Sequence, residues 1–150
     1  MKPTTHALSR PATIGSWIAQ LAAAGVLAST LPFKFGGAPE SIALFEQLGA
    51  EPFGRYATGV MELVAIVLLL VPRTAALGGL LTVGLMSGAV LSHLAILGIE
   101  VRFEGQGDGG QLFAMALIAL AGGATTAWLR RAQLPVVGPR FESAKSTNGA

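Results

Sequence analysis

Glu62 is the polar residue most able to do chemistry, because it lies in the middle of an apolar stretch that covers residues 53–71. If that stretch crosses a membrane as a helix, Glu62 lies roughly 13 Å from its start. An ionised side chain at such a depth costs at least about 2.5–3.5 kcal/mol, so it is expected to face the interior of a bundle and to have a partner. Two interpretations are open: a proton-carrying or ligand-contacting acid, or a hydrogen-bonded group that fixes helix packing.

Two further polar residues share the helix face of Glu62. Arg55 and Thr58 precede it by seven and four residues, which places all three on one side of a helix. We expect Arg55 to extend to the outer interface and Thr58 to form its hydrogen bond close to Glu62. A direct contact between Arg55 and Glu62 is not expected, because two helical turns span about 10 Å.

His93 and Lys34 are the other candidate site residues. His93 lies about one turn shallower than Glu62, so a pair between the two is geometrically open. Its imidazole would serve as a proton relay or as a hydrogen-bond donor to a quinone ring, or else it simply lies among lipid headgroups. Lys34 follows the first apolar stretch, where it either reaches the outer mouth of the same cavity or extends to lipid phosphates.

The sequence gives no metal site and no catalytic residue. It contains no cysteine, and its two histidines, His6 and His93, are expected on opposite sides of the membrane. Phosphate-binding loops, nucleophile elbows and paired catalytic carboxylates are also absent from the sequence. No covalently bound cofactor is expected. A nucleic-acid partner is not expected either, since the distribution of charge described below accounts for the calculated pI of 9.5.

The elements that must position these residues are four apolar stretches, at 14–31, 53–71, 75–99 and 111–129. The chain is 52% hydrophobic and 12% charged, whereas a soluble domain carries about 25% charged residues. Runs this long and continuous must be helices, because backbone groups in lipid need partners within their own segment. We therefore predict an all-α polytopic membrane protein: a four-helix transmembrane bundle over residues 14–131, after an N-terminal segment 1–13 and before a flexible tail 132–150.

The connecting segments and the helix surfaces carry weaker signals. Residues 72–74 predict a tight turn, residues 40–48 an amphipathic helix on the membrane surface, and residues 100–110 a mobile polar loop. The first stretch is long for a signal peptide and lacks a small-residue cleavage site, so we expect it to be retained. Small residues every four positions predict close helix packing on three helices: Gly15, Ala19 and Ala23; Gly84, Gly88 and Ser92; Ala119, Gly123 and Ala127.

The distribution of Lys and Arg predicts how the bundle is oriented. Three cations fall on one side of the predicted spans and seven on the other: Lys34, Arg55 and Arg102 against Lys2, Arg10, Arg73, Arg130, Arg131, Arg140 and Lys145. The more basic side of a membrane protein faces the cytoplasm. Both termini are therefore predicted to be cytoplasmic, in a multi-pass protein of the cell inner membrane.

Residues 33–94 resemble the DoxX-like family of small four-helix membrane proteins. The resemblance rests on five segments, together with the four-span layout: Phe33-Lys34-Phe35-Gly36-Gly37, Phe45-Glu46-Gln47-Leu48-Gly49, Gly59-Val60-Met61-Glu62-Leu63, Val71-Pro72-Arg73-Thr74 and Gly88-Ala89-Val90-Leu91-Ser92-His93-Leu94. It implies that Lys34, Glu62 and His93 match the lysine, glutamate and histidine of the family.

The resemblance implies two kinds of function. Some relatives are linked to quinol oxidase or thiosulfate:quinone oxidoreductase complexes, and others act as membrane assembly factors or chaperones. The first hypothesis is an accessory subunit with a lipophilic ligand, for which a quinone is the candidate, and with a membrane oxidoreductase or a second copy of the chain as partner. The alternative is a non-enzymatic assembly protein. We do not expect the isolated chain to be an enzyme, because it has neither cysteines nor a pair of haem ligands.

Overall fold

The computed structural model describes residues 8–134, and the structural statements below concern these residues. Five α-helices make up most of the fold: α1 (Arg10–Gly36), α2 (Pro39–Gln47), α3 (Phe53–Leu70), α4 (Ala75–Ser92) and α5 (Gln111–Leu129). A π-helical turn, His93–Leu97, follows α4, and a 3-10 turn, Arg131–Gln133, follows α5. A small antiparallel hairpin of β1 (Arg102–Phe103) and β2 (Gln106–Gly107) lies between the π-helical turn and α5.

Four of these helical segments are long and apolar enough to cross a membrane. They are α1, α3, α4 with its π-helical turn, and α5. The predicted all-α fold with four candidate spans is therefore confirmed, and it indicates a multi-pass membrane protein. The side of the membrane on which each end lies stays a prediction, and the predictions for residues 1–7 and 135–150 fall outside the described residues.

The first helix is longer than predicted. It begins at Arg10, with Pro11 in its first turn, and continues to Gly36, where Gly37 ends it with a φ of 65°. Pro32 lies inside the helix and does not end it. The expectation that Lys34 follows the helix is therefore wrong: Lys34 belongs to the last turn of α1, and the helix fixes its position relative to Thr30.

The third predicted helix ends differently from the prediction. Instead of continuing to residue 99, the α-helix gives way at His93 to a π-helical turn that closes at Gly98, where φ is 81°. The following loop contains the β1–β2 hairpin, and the side chain of Asp108 binds three backbone amides in and beside it. The helix predicted at 40–48 is present as α2, and its position on the membrane surface stays a prediction.

The bundle is a ring in which each long helix packs on two neighbours. Helix α4 packs on α3 and α5, and α1 packs on the other sides of α3 and α5. The centre is apolar and consists mostly of small side chains: Ala23, Ala24, Leu27, Ala65, Leu69, Met86, Ala116 and Ala119. Because these side chains are small, the helix axes lie close together.

The three stripes of small residues have different surroundings. Ala19, Ala23, Ala119 and Ala127 are buried, and a Cβ added at Gly123 would lie 3.0 Å from the carbonyl oxygen of Gly79 on α4. Around Gly84 and Gly88, by contrast, a Cβ would meet no atom within 4 Å. The close packing predicted for Gly84 and Gly88 is therefore absent within residues 8–134, because these glycines face away from the other helices there.

The two ends of the bundle differ in charge. We call the end where α1 begins, α3 turns into α4 and α5 finishes the basic end; it carries Arg10, Arg73, Arg130 and Arg131. The opposite end, which includes α2 and the hairpin, is the acidic end, with Glu40, Glu46, Glu51, Glu100, Glu104 and Asp108. The candidate site lies towards the acidic end.

Candidate functional site

Lys34, Glu62 and Thr30 form one hydrogen-bonded group between α1 and α3, which we call the Lys34 cluster. The Lys34 Nζ atom lies 2.9 Å from Oε1 and 2.8 Å from Oε2 of Glu62. It also donates to the Thr30 hydroxyl at 2.8 Å. That hydroxyl lies 3.0 Å from Glu62 Oε2 and 2.9 Å from the carbonyl oxygen of Leu27. The partner that Glu62 was predicted to have is thus Lys34.

The local sequence explains how the cluster forms. Thr30 and Lys34 are one turn apart on α1, so both face the same neighbouring helix. On α3, Gly59 precedes Glu62 by one turn, and the Phe35 ring packs against it, 3.1 Å from where a Cβ would lie. The absence of a side chain at Gly59 therefore lets the end of α1 come close enough for Lys34 to reach Glu62.

The cluster is shielded from solvent but not sealed. The Glu62 side chain is 6% exposed and that of Lys34 13% exposed. The pair balances its own charge, which reduces the cost of holding an acid and a base in an apolar bundle. Chemically it offers an ammonium and a hydroxyl as hydrogen-bond donors beside a carboxylate, so it can hold a polar group or pass a proton between two fixed atoms.

Arg55 is buried by the chain itself, with 4% of it exposed, and its position relative to the membrane interface stays a prediction. Its Nε and Nη2 atoms donate to the Glu51 carboxylate at 2.7–3.0 Å, and Nη1 donates to the backbone carbonyl of Lys34. The guanidinium also lies 4.4 Å from the centre of the Tyr56 ring. The hydrogen bond from Arg55 lowers the pKa of Glu51. Arg55 thus ties the end of α1 to the segment between α2 and α3.

Thr58 and His93 lie apart from the hydrogen bonds of the cluster. The Thr58 hydroxyl donates to the carbonyls of Gly54 and Arg55, at 2.8 and 3.1 Å, and not to Glu62. His93 is buried, and its Nδ1 lies 2.8 Å from the carbonyl oxygen of Gly98, so Nδ1 carries the proton. No hydrogen bond joins His93 to Glu62 within residues 8–134; the ring instead packs edge-on against Phe113 at 5.5 Å.

Asp108 is a structural residue that sequence reasoning missed. Its Oδ1 accepts from the amides of Val101 and Gly110, and its Oδ2 accepts from the amide of Leu112 in the first turn of α5. Burial raises the pKa of Asp108, but these three amides, with a smaller contribution from His93, outweigh it and leave the pKa below its usual value. The Asp-x-Gly-Gln spacing before an apolar helix was the available signal for such a cap.

A second buried polar group occupies the basic end. The Arg130 Nε donates to the Ser16 hydroxyl at 2.6 Å, and Gln20 Nε2 donates to the same hydroxyl at 2.6 Å. Arg130 Nη1 donates to the carbonyl of Pro72 at 3.0 Å, so the side chain joins α1 to the α3–α4 turn. The sequence indicated Arg130 only as one of several basic residues, since nothing in its spacing shows that it turns inward.

No group of three or more metal-ligating side chains occurs within residues 8–134. Comparison of the chain with protein-family models, with curated proteins and with solved structures found no match in any of the three. The DoxX-like resemblance of residues 33–94 therefore stays a prediction that rests on the residues themselves.

Proposed function

We propose that the protein is an accessory membrane subunit of the DoxX-like type, which holds the polar group of a lipophilic ligand at the Lys34 cluster. The observation that carries the proposal is a charged donor and acceptor set held between α1 and α3 with little exposure to solvent. A structural role alone requires no charges there, since apolar side chains of similar size pack a bundle at least as well. A quinone-type ring is the candidate ligand, and a membrane oxidoreductase the candidate partner.

The donors of the cluster fit a carbonyl-bearing ring. Lys34 Nζ and the Thr30 hydroxyl lie 2.8 Å apart, so both can donate to one carbonyl oxygen near them. The Glu62 carboxylate orients the Lys34 ammonium through both of its oxygens, and these oxygens can accept a proton from the ammonium. When bound, a quinone would supply the redox chemistry, while this chain binds it, orients it and excludes water.

A second function is favoured by one specific observation. Both charges of the cluster already have partners within the chain, because Lys34 contacts both Glu62 oxygens and Thr30 completes the group. A site of this kind can serve packing alone, by fixing the depth and rotation of α1 against α3. The protein would then be a non-enzymatic assembly protein that docks to other membrane proteins, with a homo-oligomer as one form.

Binding of a quinone probe separates the two functions. We expect decylubiquinone to bind the detergent-purified protein, and Glu62→Gln to weaken binding about fivefold or more, because the ammonium loses the carboxylate that orients it. Glu46→Gln, which removes an exposed acid at the same end, is the matched control. Equal quinone binding by the parent protein and Glu62→Gln, with a lower thermal midpoint for the variant, would contradict the ligand role and support the assembly role.

A further inference from the structure

Arg130 is a buried cation whose described contacts are all neutral. It is 7% exposed, and its hydrogen bonds go to the hydroxyl of Ser16 and the carbonyl of Pro72. The Trp17 ring lies beside it, 5.8 Å from the guanidinium carbon. Lys34 and Arg55, the other cations held inside the fold, each contact a carboxylate. A buried charge without a counterion is costly, and its position needs an explanation.

Within residues 8–134, no acidic residue lies at the basic end. Six of the seven acids belong to the acidic end, and the seventh, Glu62, is paired with Lys34: Glu40, Glu46, Glu51, Glu62, Glu100, Glu104 and Asp108. Arg10 and Arg73 are exposed at the same end of the bundle, at the start of α1 and in the α3–α4 turn. All charged residues in the described part of this end are therefore basic.

One edge of the guanidinium is available to a ligand. Nη2 makes no hydrogen bond within residues 8–134, whereas Nε and Nη1 are both used. The only buried side-chain nitrogen or oxygen without a hydrogen bond in that range is Gln20 Oε1, so Nη2 is not sealed in the core. The contacts with Ser16 and Pro72 hold the guanidinium in place and leave Nη2 as its free donor.

We propose that Arg130 binds a phosphate group at the basic end of the bundle, and that an anionic phospholipid headgroup supplies it. Guanidinium groups recognise phosphate through charge-assisted hydrogen bonds, and basic pockets between helices bind anionic headgroups. Trp17 and Trp128 near the ends of α1 and α5 suit the level of the headgroups. This site is independent of the Lys34 cluster and of the ligand proposed there.

Native mass spectrometry of the full chain in mild detergent tests the proposal. Phosphatidylglycerol and phosphatidylcholine are added in equal amounts, and the ratio of bound lipids is measured on the folded protein. We expect phosphatidylglycerol to be preferred about fivefold through Arg130, and Arg130→Gln to remove that preference. Arg130→Lys, which keeps the charge, should retain most of it, and Arg73→Gln, which removes an exposed arginine at the same end, should change it little.

Two further arms identify the source of the phosphate. If inorganic phosphate raises the thermal midpoint of the parent protein as much as phosphatidylglycerol does, and Arg130→Gln abolishes both effects, the phosphate site is supported with a free anion as its ligand. An unchanged lipid preference in Arg130→Gln would overturn the proposal. The proposal would also be overturned if the parent protein shows no lipid preference and Glu142→Gln shows one, because a carboxylate of the chain itself would then be the counterion.

Discussion

Lys34 and Glu62 form an ion pair that neutralises both charges inside the bundle, with N–O distances of 2.8 and 2.9 Å. Removing one partner leaves the other charge buried and alone. We therefore expect Lys34→Met to lower the free energy of unfolding by about 3–5 kcal/mol, whereas Lys34→Met combined with Glu62→Leu should recover most of that loss. Reversible unfolding in mixed detergent and SDS measures each variant.

The exposed pair Arg102–Glu100, 3.5 Å apart, provides the matched control for this cycle. Arg102→Met should change stability by less than about 1 kcal/mol, because exposed ion pairs contribute little. Additive losses in the Lys34 and Glu62 double variant would contradict the view that the two charges stabilise each other.

Asp108 gives a pH dependence whose sign follows from its contacts. Three backbone amides stabilise its charged form, so its pKa is lower in the folded protein than in the unfolded chain. The stability it contributes is complete above the unfolded value of about 3.9 and is lost as the pH falls through the lower, folded value. We expect Asp108→Asn to reduce stability by about 1 kcal/mol at neutral pH and to lessen the loss seen on acidification.

The thermal midpoint between pH 7 and pH 3 measures the effect of Asp108, with Glu104→Gln as the control in the same loop. Within residues 8–134, Glu104 forms no ion pair that its substitution would remove, so the thermal midpoint of Glu104→Gln should fall with pH as that of the parent protein does. Identical acid sensitivity in the parent protein and Asp108→Asn would contradict the view that the hydrogen bonds from the three amides to the Asp108 carboxylate stabilise the fold.

At the scale of elements, α4 and α5 approach each other at Gly79 and Gly123. A Cβ at Gly79 would lie 2.6 Å from the Gly123 carbonyl oxygen and 2.8 Å from the Ala127 amide nitrogen, and neither backbone atom can move alone. We expect Gly79→Ala to push the helices apart and to destabilise the bundle by about 1–3 kcal/mol. Circular dichroism during heating in detergent measures the change.

Gly84 is the matched control, because it lies on the same helix but faces away from the others. Nothing lies within 4 Å of a Cβ placed there, so Gly84→Ala should be neutral or stabilising by up to about 1 kcal/mol. A loss of stability in Gly84→Ala as large as that in Gly79→Ala would mean that the Gly84 face is packed, as in a contact with a second copy of the chain.

At the scale of the whole molecule, the separation of charge between the two ends predicts the orientation. The chain has no cysteine, so single cysteines can be introduced without background. We expect Gln106→Cys at the acidic end to react with a membrane-impermeant thiol reagent in intact cells, and Ser9→Cys at the basic end to react only after permeabilisation. The reverse pattern would place the basic end of the bundle outside the cytoplasm.

The sequence by itself determined which segments form the four long apolar helices and which residue inside them is an acid. Apolar length is a property of consecutive residues, so α3 and α5 were predicted within one residue at each end, and Glu62 was identified as a buried acid. It also determined the difference in charge between the ends, because charges flanking a span can be counted without knowing how the helices pack.

Only the tertiary structure decided which side chains meet. Contacts between helices depend on the rotation and depth of each helix, and these follow from how far α1 continues past Pro32 and from the close approach at Gly59. The same geometry brought Arg55 to the Lys34 carbonyl and buried Arg130 against Ser16, whereas the contacts of Arg55 with Glu51 and of His93 with Gly98 join residues only four and five apart in the sequence. A linear pattern places Arg55 and Arg130 at a depth in the bundle, but Lys34 and Ser16 lie on α1, which only the packed fold brings within reach of them.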